Sequence, residues 1–429
     1  NRGMALDDVY LFSPRFLLNT RYSYTRFIEG NEPLQLGMDL AALGFNSGYI
    51  NQIKAVDSRG VKLPNINVAG YGEYAIHTLG FRYDDIHDVG ANFTNMVRAH
   101  MMRFGVGYRA YRENSFGPGQ SSGSFAFGTN WTRGPLDSSP GAPMGQSLAS
   151  LLLGLPTGGS FPINDSYAEQ SKAWSFYWQD DWKLTSKLTV NLGLRYELER
   201  PLTERFNRSV RGFDAQAASP IEAQAKANYA RSPIPEIPAS QFQVKGGLTF
   251  PAVGGLPRTL WKTDTNNFMP RIGLAYAVNP RTVVRGGYGI YFDPQGVTRQ
   301  HVNQTGFNGN TEFVASLDNG QTFIANLTNP FPGGFDRPVG AGLGLATYLG
   351  QGISYFEEKL VAPYMQRWQI GVQRELPMQS VFEVSYVGNR GTKQRIGRHL
   401  NPTPRQYLST TGVRDQATID YLAAAVNNP

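Results

Sequence analysis

The sequence predicts an all-β fold of the transmembrane antiparallel β-barrel type, and three observations predict it. Long segments alternate apolar and polar residues with period two, the pattern of strands set between two different environments. The connections between them are by turns tiny and very long. Aromatic side chains collect near strand ends on the apolar side. The alternating segments run to about 10–14 residues, against the ~9–11 that cross a bilayer at a tilt and the mode of about 5–6 for globular strands.

Nine strands are expected in order. Residues 15–27 form the first: Phe16, Leu18, Thr20, Tyr22 and Tyr24 lie on one face, and Arg15, Asn19, Arg21, Ser23 and Thr25 on the other. Four hairpins follow, pairing 88–97 with 101–111, 173–184 with 188–198, 268–278 with 282–292, and 363–376 with 380–389. Their turns are short, and Pro280 and Pro377 suit them because proline presets φ and cannot donate to a ladder. The second hairpin alternates most cleanly, with Leu188, Val190, Leu192, Leu194, Tyr196 and Leu198 opposite Thr189, Asn191, Gly193, Arg195 and Glu197. One such strand also fits a soluble sandwich, so the wider pattern has to decide.

The stretches 28–87, 112–172, 199–267 and 293–362 hold 60, 61, 69 and 70 residues. Compact soluble domains connect elements with about 4–6 residues, whereas outer-membrane barrels have short periplasmic turns and long extracellular loops. Trp174, Trp178 and Trp182 share one strand face, and Tyr196, Tyr288, Phe292, Tyr364, Trp368 and Tyr386 sit similarly; rings at a lipid–water boundary form such girdles. The strands then rise and descend in order, leaving 390–429 as an extracellular loop cut short. An odd count of nine, against the even number of a closed bacterial barrel, leads to the expectation of one barrel domain over 1–429 that is only part of a barrel.

Composition agrees. Charged residues are 17% of 429 and aromatics 12%, with 48 glycines, where soluble chains carry about 25% charged residues. No apolar run approaches the ~18 residues of a membrane helix. With no cysteine, disulfides, thiolate catalysis and Cys metal sites are excluded. The net charge of +7 is scattered through strands rather than gathered in a tail, which argues against nucleic acid. Residues 1–8 have no basic start or apolar core of a signal peptide, so the chain is expected to begin within a longer protein.

Trp174–Glu197 (WSFYWQDDWKLTSKLTVNLGLRYE), Asn266–Asp293 (NNFMPRIGLAYAVNPRTVVRGGYGIYFD) and Pro363–Thr392 (PYMQRWQIGVQRELPMQSVFEVSYVGNRGT) resemble TonB-dependent outer-membrane receptors of the Oar-like group, as do Ser122–Pro135 and Ser147–Pro156. The resemblance runs in order from about Ala91 to Thr392. It implies a 22-stranded barrel closed by an N-terminal plug, and energised uptake of a bulky solute of the siderophore, oligosaccharide, peptide or cobalamin class. It also implies a TonB complex reached through an N-terminal region, outer-membrane lipid as surroundings, and neither catalysis nor a cofactor. The sequence departs from the pattern in showing no plug, TonB-contacting segment or closing strand. A passive porin, adhesin or structural barrel is the alternative; a soluble secreted β-protein or hydrolase is the third.

Lumen-facing positions are the candidate ligand or plug contacts: Arg21, Arg103, Arg109, Arg195, Arg271, Arg285 and Arg367, with Glu197, Glu375 and Glu383. Arginine binds carboxylates and phosphates in a bidentate way, although any wide wet lumen also needs charge. Gly105, Gly107, Gly193, Gly273, Gly286, Gly287, Gly289 and Gly371 leave room for a close neighbour or permit bends. Arg390, Lys393, Arg395 and Arg398 follow the last strand and are candidates for lipopolysaccharide phosphates. Asp84, Asp85, His87 and Asp88 have the chemistry of a hard-cation site but read better as a solvated loop end. The remaining histidines, His77, His100, His301 and His399, lack metal-ligand spacing, so no metal is expected. Gly119–Gly123 matches G-x-S-x-G without the strand and helix that motif needs, and 340–344 is only loosely like a dinucleotide loop.

Overall fold

The computed structural model describes residues 1–134, 138–142, 144–296 and 301–427. The other residues, which fall within the two expected long loops 112–172 and 293–362 and at the end of 390–429, lie outside the description.

Ten antiparallel strands form one sheet in sequence order. They are β1 (Arg2–Ser13), β2 (Phe16–Asn31), β3 (Leu79–Val97), β4 (His100–Gly119), β5 (Tyr167–Lys183), β6 (Leu188–Glu204), β7 (Phe268–Asn279), β8 (Thr282–Phe292), β9 (Tyr364–Leu376) and β10 (Ser380–Thr392). Nine strands were expected, and the tenth is β1, which pairs with β2 through a tight turn at Pro14. Five short turns lie at one end of the sheet and four long connections at the other. β1 and β10 stand at its two edges. No helix among the described residues is long and apolar enough to cross a membrane.

Register fixes the two faces. Leu188, Val190, Leu192, Leu194 and Tyr196 of β6 stand opposite Tyr276, Leu274, Ile272, Pro270 and Phe268 of β7. The same face continues as Val284, Tyr288 and Phe292 of β8, as Trp368, Ile370 and Val372 of β9, and as Phe382, Val384 and Tyr386 of β10. Among the described residues no second layer covers it: Ile370 is 56% and Phe382 57% exposed. All nine aromatic residues expected to share a face lie on it.

Two aromatic rows bound this apolar band. Near the long connections, Tyr108 meets Trp174 (4.6 Å), Tyr196 meets Phe268 (4.7 Å) and Phe292 meets Tyr364 (5.2 Å). Towards the short turns, Phe12, Phe16, Phe93 and Phe104 stack in succession across four strands, 5.0–6.0 Å apart. Above the band the same face turns polar, where Tyr24 donates to Asp85 (2.6 Å) and Arg26 lies 3.3 Å from it.

The strands run past the expected ends. β3 and β4 reach 19 and 20 residues, and β5 and β6 reach 17 each. The extensions project beyond the band, so the connections after β2 and β4 shorten to 32–78 and 120–166, while the one after β8 keeps its expected length, and the connections are themselves folded. A bulge between Arg200 and Thr203 shifts β6 by one residue and sends Leu202 into an apolar cluster with Leu260, Trp261 and Phe356.

The connections assemble a cap. Strands Gly309–Glu312, Gly158–Ile163, Ser124–Phe127, Asn65–Val68 and Gly72–Tyr74 form a five-stranded sheet in that order, drawn from three different connections. Its interior is dry: Tyr49, Phe125, Phe127, Phe161 and Phe331 are buried together. Helix Ser47–Val56 seals one side, with Asn46 Oδ1 accepting from the Tyr49 amide at 2.7 Å. A two-stranded sheet, Gly212–Ala218 with Lys245–Thr249, carries a separate small core. After β10 the described chain is exposed and contains a short helix, Gln416–Ala423.

Candidate functional site

On the polar face, β-ladder register brings the ten expected contact residues to one side of the sheet. It does not bring them to one place. Glu375 and Glu383 sit towards the short turns of β9 and β10. The seven arginines divide by partner. Arg21 lies 3.7 Å from Asp7, and Arg103 3.9 Å from Asp181. Arg109 is ion-paired with Asp88 and donates to Tyr111, and Arg195 is 2.6 Å from Glu197. Arg271, Arg285 and Arg367 have no carboxylate within ion-pair reach among the described residues.

These last three line one groove of about 640 Å³ on β6–β9. Its floor is glycine: Gly193, Gly273, Gly287 and Gly289 all point their missing side chains into it. A Cβ at Gly289 would crowd the Tyr291 side chain at 3.0–3.2 Å. With no side chain in the way, Tyr291 lies along the wall and the Arg271 guanidinium sits over its ring at 4.7 Å. A second groove of about 410 Å³ spans β3–β6 and contains the neutralised pairs Arg109–Asp88 and Arg195–Glu197. In one groove each arginine is therefore answered by a carboxylate, and its neighbour is strongly cationic.

The cluster Asp84, Asp85, His87 and Asp88 is not a cation site, because alternation along β3 splits it between faces. Asp84 pairs with Arg82 (3.1 Å) and Asp88 with Arg109 on the polar face; Asp85 and His87 contact Tyr24 and Tyr22 on the other. In the G-x-S-x-G segment, Ser121 donates to the Gly60 carbonyl and Ser122 Oγ accepts from the Lys62 amide, so both hydroxyls hold the cap together. Arg390 stands at the long-connection end of β10, opposite Gln366, and Lys393 Nζ lies 5.8 Å from the Tyr364 ring. Arg395 and Arg398 follow in the exposed chain beyond it.

One constellation was missed in the sequence. Glu113 on β4 and Glu169 on β5 are register partners on the polar face, above the apolar band. His301, from the connection after β8, places Nδ1 2.8 Å from Glu169 Oε1 and 3.6 Å from Glu113 Oε1. Burial, reinforced by the Glu169 carboxylate, pushes Glu113 up to about 7. The hydrogen bond to Glu169 raises His301 above the usual imidazole range. Nothing in the linear spacing of residues 113, 169 and 301 signals this meeting; only register across a long connection does.

Among solved structures, the chain is similar to the ferric yersiniabactin uptake receptor FyuA from Yersinia pestis, at 8% identity and a TM-score of 0.38, covering 91% of this chain and 35% of that one. It is similar to the ferric-catecholate import receptor Fiu from K12 E. coli at 11% identity and a TM-score of 0.36, covering 90% and 40%. It is also similar to the pyoverdine outer membrane receptor FpvA from Pseudomonas aeruginosa PAO1 at 12% identity and a TM-score of 0.35, covering 90% and 35%. The chain thus spans between about a third and two fifths of the length of these receptors. No curated protein matches it in sequence. A family model described as an outer membrane beta barrel domain matches residues 1–427, and with a ten-stranded antiparallel wall that is apolar on one face and polar on the other, the chain belongs to that outer-membrane barrel family.

Proposed function

We propose that this chain is barrel wall from a TonB-dependent receptor, with its polar face towards the lumen and its long connections outside the cell, and that Arg271, Arg285 and Arg367 receive an anionic group during energised uptake. The observation that carries the anion reading is the groove of three arginines without carboxylate partners over a glycine floor, beside a groove in which the charges are paired. Guanidinium forks match carboxylate and phosphate geometry and stay charged. The anion belongs either to a solute of the siderophore or acidic-oligosaccharide class or to a carboxylate of a plug. The Oar-like resemblance of Trp174–Glu197, Asn266–Asp293 and Pro363–Thr392 supports the TonB-coupled form.

Citrate serves as a polycarboxylate probe. Titrated into the full chain folded in detergent, it binds the unaltered protein, and the triple variant R271Q/R285Q/R367Q loses at least tenfold in affinity, since each charge-assisted hydrogen bond is worth about 1.5–3 kcal/mol. Equal affinity in the two proteins rejects the groove as an anion site. For the coupling, uptake by cells carrying the parent protein should stop when the proton-motive force is dissipated; continued uptake favours the passive barrel.

A further inference from the structure

We propose that Glu113, Glu169 and His301 form a divalent transition-cation site, of the kind Zn²⁺ fills, that fastens the connection after β8 to the barrel wall. One donor atom from each residue lies within 4.8 Å of the other two. Metal–oxygen and metal–nitrogen bonds of about 2.0–2.2 Å require donors roughly 3 Å apart, so shifts of no more than an ångström or two close the site.

The two carboxylates are ligands without a sufficient counter-charge. Glu113 is 3% and Glu169 2% exposed, and they abut across a β4–β5 register pair. Two like charges packed together away from water are costly. The nearest arginine on this face, Arg82, is engaged by Asp84 at 3.1 Å and Glu29 at 3.5 Å. Among the described residues one imidazole is left to face both carboxylates, and a divalent ion with neutral His301 balances them.

The surroundings are built to aim these donors. Tyr167 donates to Glu113 Oε1 at 3.0 Å, and the Val302 amide donates to Glu169 Oε2 at 2.8 Å. Such outer contacts orient metal-bound carboxylates.

The donor set selects the ion class. Imidazole with carboxylates suits Zn²⁺ or Mn²⁺, whereas Ca²⁺ asks for six to eight oxygens. Three protein ligands leave an open position, as in non-structural zinc sites. Two ligands come from wall strands and the third from a connection of the cap, so the ion ties one to the other.

The test is equilibrium dialysis of the full chain, folded in detergent, against Zn²⁺ alone, with H301A and E113Q in parallel. His301 is half exposed, so H301A leaves the fold intact. The expected result is one Zn²⁺ per chain, an affinity at least tenfold weaker in each variant, and slower proteolysis between β8 and β9 when Zn²⁺ is bound. Absence of a saturable Zn²⁺ site in the unaltered chain, or an affinity in both variants equal to that of the unaltered chain, overturns the proposal. The outcome is separate from the anion groove, which shares none of these residues.

Discussion

The wall and the cap are made of the same side chains put to opposite uses. On the wall, Leu194, Ile272, Ile370 and Phe382 point away from every other layer and remain exposed, because a single sheet has no interior of its own. In the cap, Tyr49, Phe125, Phe161 and Phe331 bury one another completely or nearly so. Apolar surface left bare over a whole sheet face is explained only by a solvent that is itself apolar. The cap stands in water and has to supply that solvent from its own residues. The contrast teaches that burial in this molecule is divided between two media, and each prediction separates one medium from the other.

The largest effect is expected in the cap. Phe331 contacts the rings of Tyr49, Phe125, Phe161, Phe313 and Phe335. Phe331→Ala should cost about 3–5 kcal/mol of cap stability, seen as rapid proteolysis of the connections. The wall should keep its heat-modifiable migration; simultaneous loss of both would show that cap and wall are one cooperative unit.

Next comes the wall. Leu194 lies mid-band on the apolar face, between Trp178 and Pro270. Leu194→Arg should destabilise the barrel by about 2–4 kcal/mol, the figure for a cation at the bilayer midplane, measured by urea titration in lipid vesicles. Asn191→Arg, on the other face, should be close to neutral. Equal penalties would mean the two faces are not in different media.

The smallest effect depends on pH. Lys62 is 0% exposed in the cap and donates to the Leu63 and Ala75 carbonyls and to Gln120 Oε1. Burial pulls it down to about 8. A lysine whose folded value lies below its unfolded value binds more protons unfolded, so cap stability rises as pH passes upward through about 8. Between pH 7.5 and 8.5 the gain stays under about 1.4 kcal/mol. Proteolytic protection of the cap should increase over that interval in the unaltered chain and stay flat in Lys62→Met; a parallel rise in both would assign the effect elsewhere.

The sequence is legible where one face is oily and the other wet. Residues 188–198 alternate without a fault, and β6 lies there. β1 escapes because adjacent Asp7 and Asp8 put acid on both faces, while Val9 and Leu11 add apolar residues to the polar side. The strand extensions escape for a related reason: above the band both faces meet water, so Arg82–Asp85 and Arg112–Ser115 show no period. The cap strands escape because their partners are remote, with Phe125 reaching Phe331 from a different long connection. At the site, period two places Arg271, Arg285 and Arg367 on a face. It cannot say which arginines are neutralised, since Asp88 and Asp181 answer Arg109 and Arg103 from neighbouring strands.

The central claim is that successive residues of a wall strand face different media. The chain has no cysteine, so single cysteines at positions 188–198 of β6, each carrying a nitroxide in lipid vesicles, report without background. Collision with oxygen dissolved in lipid should be high at 188, 190, 192 and 194 and low at 189, 191, 193 and 195, with the reverse pattern for a water-soluble nickel chelate. A profile with no two-residue period, or oxygen contact strongest at the odd positions, would contradict the account.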